Sequence, residues 1–259
     1  MFIENSLIQN YLVIGITVLV LASFIAGYID SISGGAGLIL IPAFILTGLP
    51  PQLALGQEKL VSTIGTIAAI KNFLNNKSII WKIVPSGIIS GLIGAYIGAK
   101  TILILPTETI AYIIVFLLPV GLLAAFFKGK IDKQNNEIKS SIITTFLTCF
   151  IVGFYDGFFG PGTGSLFIIA LSLFNGLSIL QASATSKIFN FSSNIGAFVA
   201  FLIAGQMAFL IGIPMIIASL LGNHIGSLHA IKTNGEIVRK VLIITVMLMM
   251  ITLLFQAIK

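Results

Sequence analysis

Two lysines stand where a chain this apolar rarely tolerates them. Lys59 and Lys187 each sit near the start of an apolar stretch, five residues after an alanine (Ala54, Ala182) and eleven after a glycine (Gly48, Gly176). An unpaired ammonium in hydrocarbon costs several kcal/mol, so an ionisable residue there is a functional candidate by default. Upstream of each lysine is an aspartate, Asp30 or Asp156, followed by a glycine-rich break: Gly34, Gly35 and Gly37 in one case, Gly160, Gly162 and Gly164 in the other. A helix that begins after such a break presents unpaired N–H groups and a partial positive charge, and glycines let a ligand reach the main chain. Two such starts are expected, at Gly35-Ala36-Gly37 and at Pro161-Gly162-Thr163-Gly164-Ser165. Together they make an anion site built from backbone. Pro161 suits a first helical turn because it has no N–H to leave unpaired. Thr163 and Ser165 add hydroxyl donors. The competing explanation for the glycines is sharp bending and tight packing.

The lysines have two roles open to them. Either can neutralise a bound anion, or it can snorkel to the interface or pair with Asp30, Asp156 or Glu58. Around Lys187 lie Ser183, Thr185, Ser186, Asn190, Ser192, Ser193 and Asn194. Asn190 and Asn194 share one helix face, which is expected to line water. Asp30 and Asp156 are expected to cap the turns that follow, with proton carriage as the alternative. His224 and His229 are read as packing residues. No catalytic residue, metal site or cofactor is expected, and Cys149, the sole cysteine, forms no internal disulfide.

The elements that position these residues follow from composition and repetition. Of 259 residues, 57% are hydrophobic and 8% charged, with mean hydropathy +1.11. That is too little polar surface to coat a soluble core. An all-α polytopic membrane protein is expected. The net charge of +6 sits mostly in loops, where it sets orientation and does not mark nucleic-acid binding. The N-terminus lacks a basic leader and is expected to be a retained helix. From Gly48 onward the second half of the chain repeats the first at an offset of 128 residues.

Ten apolar elements are expected, near 7–29, 36–48, 55–74, 79–103, 107–127, 139–158, 163–175, 183–204, 207–230 and 237–258. The second and seventh are too short to cross a layer of about 30 Å, so they are expected to be half-helices or re-entrant segments buried in protein. Residues 1–128 and 140–259 form the two repeats, joined by a cytoplasmic linker, 129–139. Lys128, Lys130, Lys133 and Lys139 mark that linker as inside. The loops carrying Lys71, Lys77 and Lys82, and Lys232, Arg239 and Lys240, join it on that side only if the halves are inverted. Both termini are then outside. Ser86, Ser90, Gly94 and Gly98 form one ladder of small residues, and Ala218, Gly222, Gly226 and Ala230 another. Such ladders let helices approach closely in lipid, and are assigned to the scaffold and the contact between halves.

At the two glycine motifs the chain resembles the sulfite exporter TauE/SafE family of membrane permeases, also called TSUP. The first half carries GGAGLILIPAFILTGLPPQLALGQEKL; the second carries GFYDGFFGPGTGS and, after Gly176, QASATSKIFNFSSNIGA. Ala36 interrupts what is often a fuller glycine run. The resemblance implies passage of small anions, sulfite or sulfur-containing organic anions such as sulfonates, across a prokaryotic inner membrane. It carries over the glycine loops (Gly35, Ala36, Gly37, Gly162, Thr163, Gly164, Ser165) and the helices bearing Lys59 and Lys187 with Asn190 and Asn194. Export of one negative charge at 100 mV, inside negative, gains about 2.3 kcal/mol. Two other classes are weighed beside it. One is a membrane-embedded phosphate-handling enzyme, for which neither repeat motif offers a His or Arg. The other is a cation transporter using Asp30 and Asp156. The partners expected are the lipid bilayer and a small anion.

Overall fold

The computed structural model describes residues 6–106, 109, 141–234 and 236–237. In it the chain is α-helical. A short helix, α1 (Leu7–Asn10), precedes α2 (Leu12–Ser33), α3 (Ala36–Thr47), α4 (Pro51–Asn75) and, after a 3-10 turn, α5 (Val84–Leu103). The second half supplies α6 (Ile142–Phe158), α7 (Thr163–Asn175), α8 (Ile179–Ile203) and α9 (Phe209–Lys232). The expected first element is therefore two helices, because Tyr11 leaves helical geometry at φ −139, ψ 67. Helix α4 begins four residues earlier than expected: Pro51 takes the first position, where no N–H is needed. Helix α8 also starts early, nucleated by a capping box between Ser178 and Gln181. The apolar runs 107–127 and 237–258, save for Thr109 and Ile237, lie outside the described residues, as do the linker 129–139, Arg239 and Lys240.

Among the described residues, four stretches are long and apolar enough to cross a membrane: Leu12–Ser33, Trp81–Leu103, Ile179–Ile203 and Phe209–Lys232. Helices α3 and α7 have 12 and 13 residues, about 20 Å at 1.5 Å per residue, and do not span. The burial pattern is that of a protein in lipid. Leu210 and Val13 are 87% and 78% exposed, while serines, asparagines and both repeat lysines lie inside.

The direction of each helix follows from which residues meet. Gly222 abuts Phe24 and Tyr28, and Gly226 abuts Tyr28 and Ser31, so α2 and α9 run parallel. Gly94 abuts Phe150 and Phe154, and Gly98 abuts Phe154 and Phe158, so α5 and α6 run parallel. Gln57 lies at Gly212 and Asn72 at His224, which makes α4 parallel to α9. Gly87 lies at Phe189 and Gly196 at Leu92, which makes α5 parallel to α8. Gly56 meets Phe201 while Ile80, just past α4, meets Thr185; α4 and α8 are antiparallel. Helices α2, α4 and α9 thus run one way and α5, α6 and α8 the other. The repeat counterparts (α2 and α6, α4 and α8, α5 and α9) always oppose, so the halves are inverted.

Each half leans on the other. The first long helix of each half, α2 or α6, packs most extensively on the small-residue ladder of the opposite half. At Gly94, Gly98, Gly222 and Gly226 an added Cβ would strike main-chain carbonyls across that contact, so the backbones touch. Paired hydrogen bonds repeat the exchange: Gln57 Oε1 accepts from the Ala208 N–H at 3.1 Å, and Thr185 Oγ1 accepts from the Ile80 N–H at 3.1 Å. Both members of each pair are offset by 128. Lys71, Lys77 and Lys82 stand at the same end of the bundle as Lys232, because α4 and α9 are parallel.

Candidate functional site

Both short helices begin in the protein interior, and their starts meet. Helix α2 breaks at Gly34 (φ +78), and Gly35 caps α3; in the second half Gly162 (φ +83) caps α7. Only glycine adopts these backbone angles cheaply. Gly34 lies backbone to backbone against Gly164, and Gly37 lies against Pro161. The Ser165 hydroxyl donates to the Ser33 carbonyl across the contact at 2.9 Å. Residues Ser33 to Gly37 and Gly160 to Ser165 are all buried. Helix α3 returns to the side from which α2 set out, since Gly48 at its end touches Ser6.

The lysines are buried and bind the opposite half. Lys59 is 1% exposed and Lys187 0%. The Lys59 ammonium donates to Asp156 Oδ1 at 2.7 Å and to Asn194 Oδ1 at 3.2 Å, with Glu58 Oε2 at 3.1 Å. It also abuts Gly160, where an added Cβ would stand 2.7 Å from Nζ. The Lys187 ammonium donates to the main-chain carbonyl of Asp30 and to its Oδ2 at 3.4 Å. Neither lysine reaches for the membrane surface. The repeat of one half provides the ammonium and the repeat of the other half the carboxylate, twice.

The aspartates are used differently. Asp30 Oδ1 accepts from the Gly35 and Ala36 N–H groups at 3.1 and 3.4 Å, capping the start of α3. The end of α2 is closed by the second half: Ser183 donates to the Ile32 carbonyl at 3.0 Å, Ser165 to that of Ser33, and Lys187 to that of Asp30. Cations and donors belong at a helix C-terminus. Asp156 instead accepts from Ser193 at 2.6 Å through Oδ2 while Oδ1 meets Lys59. The N–H groups of Gly164 and Ser165, in the first turn of α7, have no hydrogen-bond partner among the described residues. The two starts therefore differ: at α3 a carboxylate of its own half takes the Gly35 and Ala36 N–H groups, leaving that of Gly37, whereas no carboxylate caps the start of α7 among the described residues.

Several expectations need correction. Pro161 is not in the first turn of α7; it sits in a turn before Gly162, because positive φ at Gly160 and Gly162 delays the helix to Thr163. The Thr163 and Ser165 hydroxyls are not free donors, since Thr163 donates to the Gly160 carbonyl and Ser165 to that of Ser33. Asn190 and Asn194 do share a face and are joined, Asn194 Nδ2 to Asn190 Oδ1 at 3.3 Å, both buried. His229 meets the Tyr28 hydroxyl at 2.6 Å, and His224 meets Asn72 at 3.1 Å, away from both breaks.

Sequence reasoning gave Glu58 only a pairing role and named Ser193 only as a polar neighbour. Glu58 is 4% exposed, its Oε1 accepts from Ser62 at 2.8 Å, and its Oε2 lies 3.1 Å from the Lys59 ammonium. The signal that singles it out is a departure from the repeat: the position 128 residues on is Ser186. The site holds three buried carboxylates (Asp30, Glu58, Asp156) and two ammonium groups (Lys59, Lys187). Around the α7 start, unpaired N–H donors lie beside Gly160 and the Lys59 ammonium, whose charge is met by Asp156 and Glu58.

Comparison with known proteins agrees across most of the chain. A family model described as sulfite exporter TauE/SafE matches residues 19–253. A protein of Sinorhizobium sp named "probable membrane transporter protein ORF9" is 36% identical over 242 residues, covering 91% of each chain. A "probable membrane transporter protein" of Haemophilus influenzae is 33% identical over 230 residues, covering 88% of this chain and 90% of that one. The "probable membrane transporter protein YfcA" of Escherichia coli (strain K12) is 30% identical over 243 residues, covering 93% and 90%. No solved structure matches significantly.

Proposed function

Because the chain belongs to the sulfite exporter TauE/SafE family, and is thus a membrane transporter, we propose that it passes small anions, sulfite or sulfur-containing organic anions, through a site between its two broken helices. The observation that carries this function is the buried α7 start, where the Gly164 and Ser165 N–H groups are unpaired among the described residues and the Lys59 ammonium stands beside Gly160. Unpaired buried donors are costly, and an anion is a ligand that satisfies them. Gly35, Ala36 and Gly37 form the facing wall, and Asn190 and Asn194 extend it with amides.

In the resting arrangement the Asp156 carboxylate occupies the ammonium that the anion needs. Substrate then binds by competing with an internal carboxylate, which keeps the site neutralised when empty. Cation transport through Asp30 and Asp156 is the poorer fit, because a cation must displace an ammonium from each carboxylate. The end bearing Lys71, Lys77, Lys82 and Lys232 faces the cytoplasm of a prokaryotic cell.

Purified protein in proteoliposomes tests this function directly. Sulfite, sulfate, thiosulfate, sulfoacetate and taurine are offered in turn against empty vesicles and potassium flux. At least one sulfur oxyanion is expected to move, with potassium excluded. Movement of none of them by correctly folded protein, or movement of potassium instead, contradicts it.

A further inference from the structure

We propose that Glu58 and Asp156 share one proton, and that the transporter carries this proton together with its anion. The coupling rests on the permease function proposed above; the shared proton does not.

The argument starts from counting charge in one enclosed cluster. Glu58 and Asp156 flank a single ammonium, that of Lys59, at 3.1 and 2.7 Å. Side-chain exposures are 5% for Glu58, 2% for Asp156 and 1% for Lys59. Two ionised carboxylates against one ammonium leave a net negative charge in a medium that stabilises it poorly. The other half shows the balanced version: Lys187 meets Asp30 alone, and Ser186 stands where Glu58 would be. Among the described residues, the groups facing the cluster from other helices do not correct the imbalance. Helix α8 offers Ser193 and Asn194, both neutral. Besides Asp156, α6 offers Tyr155, whose hydroxyl is committed to the Pro161 carbonyl at 2.8 Å. The remaining repeat lysine, Lys187, is spent on Asp30.

A second feature marks which carboxyl takes the proton. Asp156 is hydrogen-bonded to the ammonium at 2.7 Å and to Ser193 at 2.6 Å, whereas Glu58 stands at 3.1 Å from the same ammonium and accepts from Ser62 alone. Of the two, Glu58 is the less stabilised as an anion. A proton on either carboxyl brings the cluster to neutrality.

The consequence for transport follows from position. Lys59 is the ammonium next to the uncapped α7 start. An anion arriving there meets a net negative cluster when the proton is absent and a neutral one when it is present. Anion and proton therefore bind with positive coupling, and affinity for the anion falls as pH rises through the titration of the pair. When the anion departs, the proton leaves to water from the carboxyl.

Infrared difference spectroscopy on the purified full chain in lipid nanodiscs tests the shared proton without any substrate. A protonated-carboxyl carbonyl band is expected at neutral pH. It is lost in Glu58→Gln and in Asp156→Asn, since the remaining carboxylate then pairs with Lys59 alone, and it is kept in Asp30→Asn. Glu58→Gln is isosteric and keeps an acceptor for Ser62, so it is the variant expected to fold. Absence of the band in the wild type, or its survival in Glu58→Gln, overturns the proposal. Proteoliposomes loaded with a pH-sensitive dye test the coupling: a sulfoacetate gradient should drive protons in the same direction in the wild type, and this proton movement should be lost in Glu58→Gln. Proton movement unchanged in Glu58→Gln overturns the coupling. If the band behaves as stated but none of the sulfur anions moves, the permease function fails and the shared proton stands.

Discussion

Lys187→Met is expected to destabilise the protein by about 3–5 kcal/mol, and Asp30→Asn in the same chain to restore most of that loss. The Lys187 side chain is 0% exposed and meets two groups at once: the Asp30 carboxylate and the Asp30 main-chain carbonyl near the end of α2. Removing it leaves a buried negative charge with no cation beside it. The double variant removes the charge as well, and Asn keeps an oxygen for the Gly35 and Ala36 N–H groups that Asp30 now serves. Residues in one network couple by about 0.5–3 kcal/mol, so the two substitutions should be strongly non-additive. Thermal unfolding of the four proteins in detergent measures the cycle. Lys187→Met as stable as the wild type, or a double variant no better than the single one, contradicts the exchange of charges between halves.

The second large effect is expected at the crossing of the two breaks. Gly164→Ala places a Cβ 2.5 Å from Gly34 Cα, and backbone, unlike a side-chain tip, has nowhere to move. Overpacking of this kind costs about 1–3 kcal/mol. Gly34→Ala strikes Gly164 from the other side and adds the penalty of a side chain at φ +78. Gly205→Ala separates the two contributions, because it sits at φ +71 with nothing within 4 Å of an added Cβ. Gly34→Ala should lower the unfolding temperature well beyond Gly205→Ala and abolish anion flux. Equal effects of the two would mean that the crossing tolerates separation and that contact between the breaks is incidental.

Much of the architecture is written in the chain at the level of single helices. The short α3 and α7 follow from apolar runs that end at Gly48 and Gly176, and the ladders at Gly94 and Gly222 announce close packing. Where the chain text stops short is at pairing. An offset of 128 says that Lys59 and Lys187 are equivalent, but not whether each meets the aspartate of its own half or of the other. That choice is made by α2 and α6 crossing to the opposite ladder, a contact between distant segments with no local signal. The hydroxyls of Thr163 and Ser165 were legible as donors, while the carbonyls that take them belong to a turn and to α2. Pro161 misleads because helix-start chemistry favours it, yet the flanking glycines turn the chain first. Glu58 was legible only as a break in the repeat, and its weight appears once Asp156 is seen across the same ammonium.

The most direct measurement of an anion site at the α7 start uses the site's own chemistry. Thr163→Cys in a Cys149→Ala background is treated with two small thiol reagents of similar size, one bearing a sulfonate and the other a quaternary ammonium. The sulfonate reagent should modify Cys faster by about tenfold or more, the factor that about 1.4 kcal/mol of charge preference produces, and sulfoacetate should slow it. Equal rates for the two reagents, a faster cation, or no reaction of the folded protein with either would contradict an anion-selective position between the two broken helices.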